Sequence, residues 1–340
     1  MTFENFHQAY VYHLQETFCA PEFVNAPRGY KSRERLGLQI KLLNPRERVP
    51  RLSSRKLNLV FNFAEVLWYL SGRDDVGFPS YYAPSIKRYS NDGKRLLGTA
   101  YGPRIFCYGP WRANQWEQVV DVLRKDKDSK RAVIQIFDAN ELSIADNIDV
   151  ACTLALQFFI REGRLHTVVF MRANDIFRGI ISDVFSFTFL QEFMATELGL
   201  GLGNYYHNVG SYHVYASDYV AAERVLAEAR EMKAPTNDAV FPAMPMENNW
   251  QYLSEVLRWE EALRTGQARI RIEDLAKLSL PVYWRQILAL FELYREITSN
   301  ETPDNCVYAF LPPLYQELLS AKWAAALLRQ DLAVTGKSNW

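Results

Sequence analysis

The chain has 340 residues, 49% of them hydrophobic and 14% aromatic, which is enough for one large domain or two ordinary ones around a sizeable core. Lys and Arg together number 39 and so do Asp and Glu, so no net field draws the chain to a nucleic-acid polymer or an anionic membrane, and any phosphate it binds must be held locally. Its four cysteines (Cys19, Cys107, Cys152, Cys306) are scattered, with no Cys-x-x-Cys and no histidine at ligand spacing, which argues against a structural zinc or a disulfide framework.

At the N-terminus Phe3, Phe6, Tyr10, His13 and Leu14 recur at helical spacing and predict a helix over residues 1 to about 20. That start has no basic region leading into an apolar core, and no run of about 18 apolar residues occurs in the chain, so a soluble cytoplasmic protein is expected. Residues 26–35 are a loop of breakers and cations, 36–43 predict a strand, and 57–70 predict an apolar helix that carries Glu65. A single carboxylate in so apolar a helix is costly to bury without a role. Residues 71–104, dominated by Gly, Pro, Asp, Asn and Tyr, read as an irregular functional loop.

A helix is predicted over 115–125, and strands over 132–137, 154–161 and 165–172, the last two joined by a short turn. Ser182 is the expected N-cap of a helix from Asp183 to Leu198 that stops at Gly199. Cys152 thus precedes a strand and Asp183 opens a helix. Beyond residue 216 the pattern turns helical, over 221–232, 250–264, 280–297 and 313–331. The fold class is α+β, with residues 1–215 as the catalytic core and 216–340 as a mainly helical region packed on it.

Several stretches in order carry a specific signal: Lys-Arg-Ala-Val-Ile-Gln (130–135), Asp-Val-Ala-Cys-Thr (149–153), Gln-Phe-Phe-Ile-Arg (157–161), Met-Arg-Ala-Asn-Asp-Ile-Phe-Arg-Gly (171–179), Gly-Ile-Ile-Ser-Asp-Val-Phe-Ser-Phe (179–187) and Gly-Ser-Tyr-His-Val-Tyr (210–215). On these stretches the chain resembles the thymidylate synthase family. The resemblance implies a thymidylate synthase-like sheet with packed helices, an obligate homodimer, and 5,10-methylenetetrahydrofolate as one-carbon donor. It also implies that Cys152 adds to C6 of a pyrimidine nucleotide, splitting one hard step into two. Glu65 then corresponds to a proton-relaying glutamate and Tyr101 to the tyrosine implicated in removing the C5 proton. Phosphate falls to Arg28 and Arg172 of one chain and Lys130 and Arg131 of the other, the ribose 3′-hydroxyl to His213 and Tyr215, and the pterin side of the folate to Asp175 and Gly179.

The chain also departs from the family pattern. Thr153 and Ala151 replace the usual neighbours of the nucleophile, Lys130 stands for an arginine, and Ala173 stands for a phosphate-binding serine. Asp183 stands for the asparagine that matches the O4 acceptor and N3–H donor of uracil. A carboxylate accepts from the N4 amino group of cytosine instead. Taken alone, Asp183 is a helix acid favoured by the dipole; within the resemblance it implies a cytidine nucleotide. Residues 85–93 lack the tryptophans of methylating members, and the C-terminal helices replace the usual tail, both of which favour water over hydride as the final nucleophile. The expectation is therefore a cytidylate 5-hydroxymethylase, of the kind that serves nucleoside-antibiotic pathways, giving 5-hydroxymethyl-CMP and tetrahydrofolate. A deoxycytidylate hydroxymethylase, a thymidylate synthase-like methyltransferase and a non-catalytic nucleotide- or RNA-binding relative stay open.

Overall fold

A computed structural model of the protein describes residues 1–232 and 240–327. The chain opens with β1 (Thr2–Phe3) and α1 (Phe6–Cys19), the latter capped by Asn5, whose side chain accepts the Gln8 N–H at 3.1 Å. Then follow β2 (Phe23–Asn25), β3 (Ser32–Leu42), α2 (Leu59–Leu70), α3 (Gly77–Tyr82), α4 (Tyr101–Phe106), α5 (Gln115–Lys125) and β4 (Val133–Gln135). The centre of the fold is β5 (Thr153–Arg161), β6 (Arg164–Asp175), α6 (Gly179–Glu197) and β7 (Gly201–Tyr215). Helices complete it: α7 (Tyr219–Glu231), α8 (Trp250–Arg264), α9 (Ile272–Lys277), α10 (Val282–Thr298), α11 (Asn305–Ala309) and α12 (Pro313–Leu327). The α+β class is thus observed, and the end of the last expected helix, residues 328–331, lies outside the described residues.

One mixed sheet runs β1-β3-β7-β6-β5-β4, with β2 added on β3. Burial alternates along β5 and β6 as a one-sided sheet requires: Leu156, Phe158, Ile160, Val169 and Met171 face α6 and the core. The same core continues into the C-terminal helices. Phe63 of α2 meets Tyr315 of α12 edge-on at 5.6 Å, and Phe189 of α6 meets Trp284 of α10 at 6.2 Å.

Three expectations need correction. Helix α6 begins at Gly179 rather than Asp183, because the Asp175 carboxylate accepts the backbone N–H groups of Phe177 and Arg178 (2.8 and 3.0 Å) and launches the helix earlier; Ser182 lies inside it. Residues 71–104 hold two short helices and a 3₁₀ turn (Pro84–Tyr89), pinned by buried Phe78, Tyr82 and Ile86. And β7, which no apolar alternation announces, lies between β3 and β6 over 15 residues. Its glycines permit close pairing: a Cβ on Gly210 would lie 2.8 Å from the Arg172 carbonyl oxygen.

Candidate active site

Cys152 sits just before β5, half-buried, its carbonyl accepting the Arg172 N–H of the neighbouring strand at 2.9 Å. The Arg172 guanidinium reaches back along the nucleophile's own loop, donating to the Ala151 and Val150 carbonyls at 2.9 and 2.8 Å. The sequence motif leads one to expect a depressed thiol pKa. Instead burial pushes the thiol up, the charges of Asp183 and Asp149 add to this, and Arg172 and Arg28 offset only part of it.

The loop before Cys152 is fixed from beneath. Asp149 accepts the backbone N–H groups of Leu97, Gly98 and Thr99 at 2.8, 3.0 and 2.9 Å, and Glu141 accepts the Ala151 N–H at 2.7 Å. This joins the loop to the segment that delivers Tyr101 at the start of α4. Tyr101 stacks on Tyr69 at 4.9 Å, and its hydroxyl accepts from Thr153 Oγ1 at 3.0 Å. Burial pushes the phenol well up, followed by the charges of Asp183 and Cys152, which brings these three groups within electrostatic reach of one another.

Asp183 projects from the second turn of α6. It keeps some surface in the cleft, yet so much protein surrounds its carboxyl that burial raises its pKa well above the usual range. The charges of Glu65 and Asp175 add to the rise, and a hydrogen bond with the Asn174 side chain opposes it. Glu65, on α2, is buried at 6% exposure and its pKa is raised to about 7 by burial, against hydrogen bonds donated by Ser186 Oγ (3.0 Å) and the Tyr69 hydroxyl.

On the other side, Arg28 stands in a turn with φ +54, unusual for a residue with a Cβ, and its side chain bonds to Tyr215. His213 and Tyr215 meet edge-on at 4.9 Å at the end of β7, with Asp175 in coulombic contact with both. Ala173 pairs with Ser211 across β6 and β7. Gly179 begins α6 where a Cβ would come 3.2 Å from Asn174 Oδ1 and 3.6 Å from Asp183 Oδ2.

The single chain therefore gathers Cys152, Tyr101, Asp183, Glu65, Arg172, Arg28, Asp175, Gly179, His213 and Tyr215 into one cluster of interacting groups. Lys130 and Arg131 are not among them: both are exposed in the loop before β4, and neither is among the charges acting on Cys152. Sequence reasoning passed over Tyr69, Ser186, Asp149 and Asn174, and noted Thr153 only as a departure from the family pattern. The spacing of Asp183 and Ser186, three apart on a helix and so on one face, was the one local signal available for Ser186.

Residues 9–244 match a family model described as Thymidylate synthase. A deoxyuridylate hydroxymethyltransferase of Bacillus phage SP01 is 35% identical over 214 residues, covering 58% of this chain and 54% of its own. A protein of the same description from Delftia phage PhiW-14 is 34% identical over 186 residues, covering 51% and 50%. The chain spans about half the length of the curated relatives it matches.

Proposed function

The chain belongs to the thymidylate synthase family, and on that footing we propose that it places a hydroxymethyl group on C5 of a pyrimidine nucleotide, with cytidine 5′-monophosphate as substrate. One observation carries the reading: the Cys152 thiol, the Asp183 carboxyl and the Tyr101 phenol lie within electrostatic reach of one another, and the charges of Arg172 and Arg28 act on the same thiol. In this reading Cys152 Sγ bonds to C6 and C5 becomes the carbon nucleophile. Burial holds the thiol up, so its proton must leave for a neighbouring base as the S–C6 bond forms. Asp183 accepts from the N4 amino group and fixes the ring against the sulfur. Arg172 and Arg28 face the phosphate, their planar forks suited to it, and His213 with Tyr215 hold the sugar. Tyr101 serves removal of the C5 proton as a relay, its oxygen taking that proton as its own O–H proton passes on, and Glu65, poised near neutrality, relays protons through its bonds to Ser186 and Tyr69.

The donor implied is 5,10-methylenetetrahydrofolate, which supplies the one-carbon unit when bound. The residues present fit such a molecule. A cleft of about 410 Å³ lined by Arg55, Lys56, Phe177, Arg178, Ser182, Asp218 and Lys322 opens beside the first turn of α6; Arg178 is paired with Asp218, and Arg55, Lys56 and Lys322 suit a carboxylate-bearing tail. Asp175 and Gly179, at the start of that turn, would hold the pterin end. Hydroxymethyl rather than methyl is supported by the relatives' descriptions and by the absence of tryptophan in 85–93. Lys130 and Arg131 are read as phosphate ligands lent by a second copy, and 216–340 as an appended helical region backing the core.

A second reading, a uridylate substrate, is favoured by the relatives' names. It also suits a neutral Asp183, whose O–H can donate to O4 while its carbonyl accepts N3–H. Incubating the protein with the folate and CMP, dCMP, UMP or dUMP in turn, with mass analysis of the nucleotide, separates these. Hydroxymethyl-CMP with tetrahydrofolate supports the proposal, and preference for dCMP corrects only the sugar. Hydroxymethylated uridylate overturns the base assignment, and dihydrofolate as co-product overturns the fate of the carbon.

A further inference from the structure

The cleft beside the first turn of α6 is walled in part by a residue that lies beyond the family match, residues 9–244. Lys322 of α12 lines it together with Arg55 and Lys56. Its ammonium donates to the Lys56 carbonyl at 3.1 Å, which leaves its remaining N–H donors for other partners. Helix α12 is held in place by the core, because Tyr315, earlier on the same helix, is buried and packs against Phe63 of α2 at 5.6 Å.

Three cations therefore meet without an anion. Arg178 is paired with Asp218, its Nη2 2.6 Å from Oδ1, but among the described residues no carboxylate lies within ion-pair distance of Arg55, Lys56 or Lys322. Arg55 instead donates to the Phe177 carbonyl, at 3.0 and 2.7 Å, which leaves its charge uncompensated. Burial, then the charges of Arg55 and Lys56, push the Lys322 pKa below its ordinary value, as expected of like charges gathered without a counter-charge. A second group on the same wall also lacks a partner. Asn62 of α2 is 2% exposed; its Oδ1 accepts from Ser182 Oγ at 3.1 Å, and its amide nitrogen has no acceptor. Unbalanced cations and a buried donor without an acceptor call for one kind of ligand, a molecule rich in anionic and carbonyl oxygens.

We propose that Lys322 gives the C-terminal helical region a part in the site: with Arg55 and Lys56 it holds a run of carboxylates on the folate donor, so that the cleft selects folates with several glutamates in the tail over those with one. The Arg55 fork suits a single carboxylate, whereas Lys56 and Lys322 are point charges on long stems that can meet further carboxylates at varied positions. Asn62 supplies a donor to the same molecule. The inference rests on the reading that this cleft receives the folate.

The test is calorimetry on the full chain, saturated in turn with CMP, dCMP, UMP and dUMP, with tetrahydrofolate bearing one or five γ-linked glutamates as titrant; this folate lacks the one-carbon unit and so binds without turnover. The longer tail should bind the unaltered chain about tenfold more tightly, and added salt should narrow the gap. Lys322→Gln should cut that ratio by about threefold or more, the worth of one partly exposed ion pair, without changing nucleotide affinity, and Lys322→Arg should restore it. If Lys322→Gln weakens both folates equally, the side chain only props the wall; if it weakens the nucleotide instead, the cations serve phosphate. Either result, or an unchanged ratio, overturns the inference and leaves the folate reading standing, as does equal binding of the two tails by the unaltered chain. If neither folate binds with any nucleotide, the folate reading fails and the inference falls with it.

Discussion

At the scale of single residues, the site is governed by how burial and charge compete. Burial holds the Cys152 pKa up even though the charges of Arg172 and Arg28 offset part of the rise. Cys152→Ala should lose turnover by at least about 10³-fold while nucleotide still binds, because only the covalent step is removed; equal loss of binding in a calorimetric titration would mean that the sulfur serves packing. Glu65 offers a pH test. Burial holds its folded pKa at about 7 against an ordinary value of 4.5, so the unfolded chain sheds this proton first. Between those pH values the unfolded state binds fewer protons, and stability falls as pH rises, by about 3 kcal/mol once pH passes 7. Glu65→Gln removes that cost. Its melting temperature should exceed that of the unaltered protein at pH 8, and the gap should close toward pH 4.5.

At the scale of elements, the site depends on loops locked to one another more than on regular structure. The turn 97–99 and the loop 149–151 share the Asp149 carboxylate, and they approach so closely that a Cβ on Gly98 would lie 2.1 Å from the Asp149 carbonyl oxygen and 2.6 Å from the Ala151 nitrogen. Gly98→Ala must therefore push the Cys152 loop away from Tyr101, with an expected cost of about 3 kcal/mol and a matching loss of activity; chemical denaturation alongside turnover checks both. Nothing local in the sequence reveals this contact, because it is made across some 50 residues. Elements whose signal is local were legible: α8 matches its predicted bounds, 250–264, and α5 matches 115–125. Strand β7 was not. Its residues include Gly203, Asn204, Asn208, Gly210 and Ser211, and tertiary pairing on both edges overrides weak strand preference. The start of α6 was misread for a related reason, since Asp175 makes its launching bonds from inside a motif that the resemblance gave to the folate. The nucleophile and Asp183 were legible from the family motifs, whereas Tyr69, Ser186 and Asn174 emerge only when strands and helices bring them together.

At the scale of the whole molecule, the sheet has two unequal faces. One is covered by α6 and α1. On the other, cross-strand register aligns Val133, Gln157 and Val168, and likewise Ala155, Phe170 and Asn208, with Tyr206 beside them. Phe170 and Val133 stay 39% and 40% exposed. Such a face, at the centre of a sheet, suits a second copy of the chain meeting it through a two-fold axis. In the proposed homodimer the loop carrying Lys130 and Arg131, exposed before β4, would serve the partner's site. If those side chains serve the partner's phosphate, Cys152→Ala and Arg131→Ala homodimers should each be inactive or weak. Mixed after reversible dissociation, they form heterodimers in which one site combines the intact Cys152 of one chain with the intact Arg131 of the other. With random pairing, about a quarter of full activity should return. No recovery, with heterodimers verified by native mass spectrometry, would place Arg131 outside the shared site. Phe170→Lys, which puts a charge into the centre of the face, should shift the protein toward monomer in sedimentation and lower turnover with it; a monomeric variant of undiminished activity would sever assembly from catalysis.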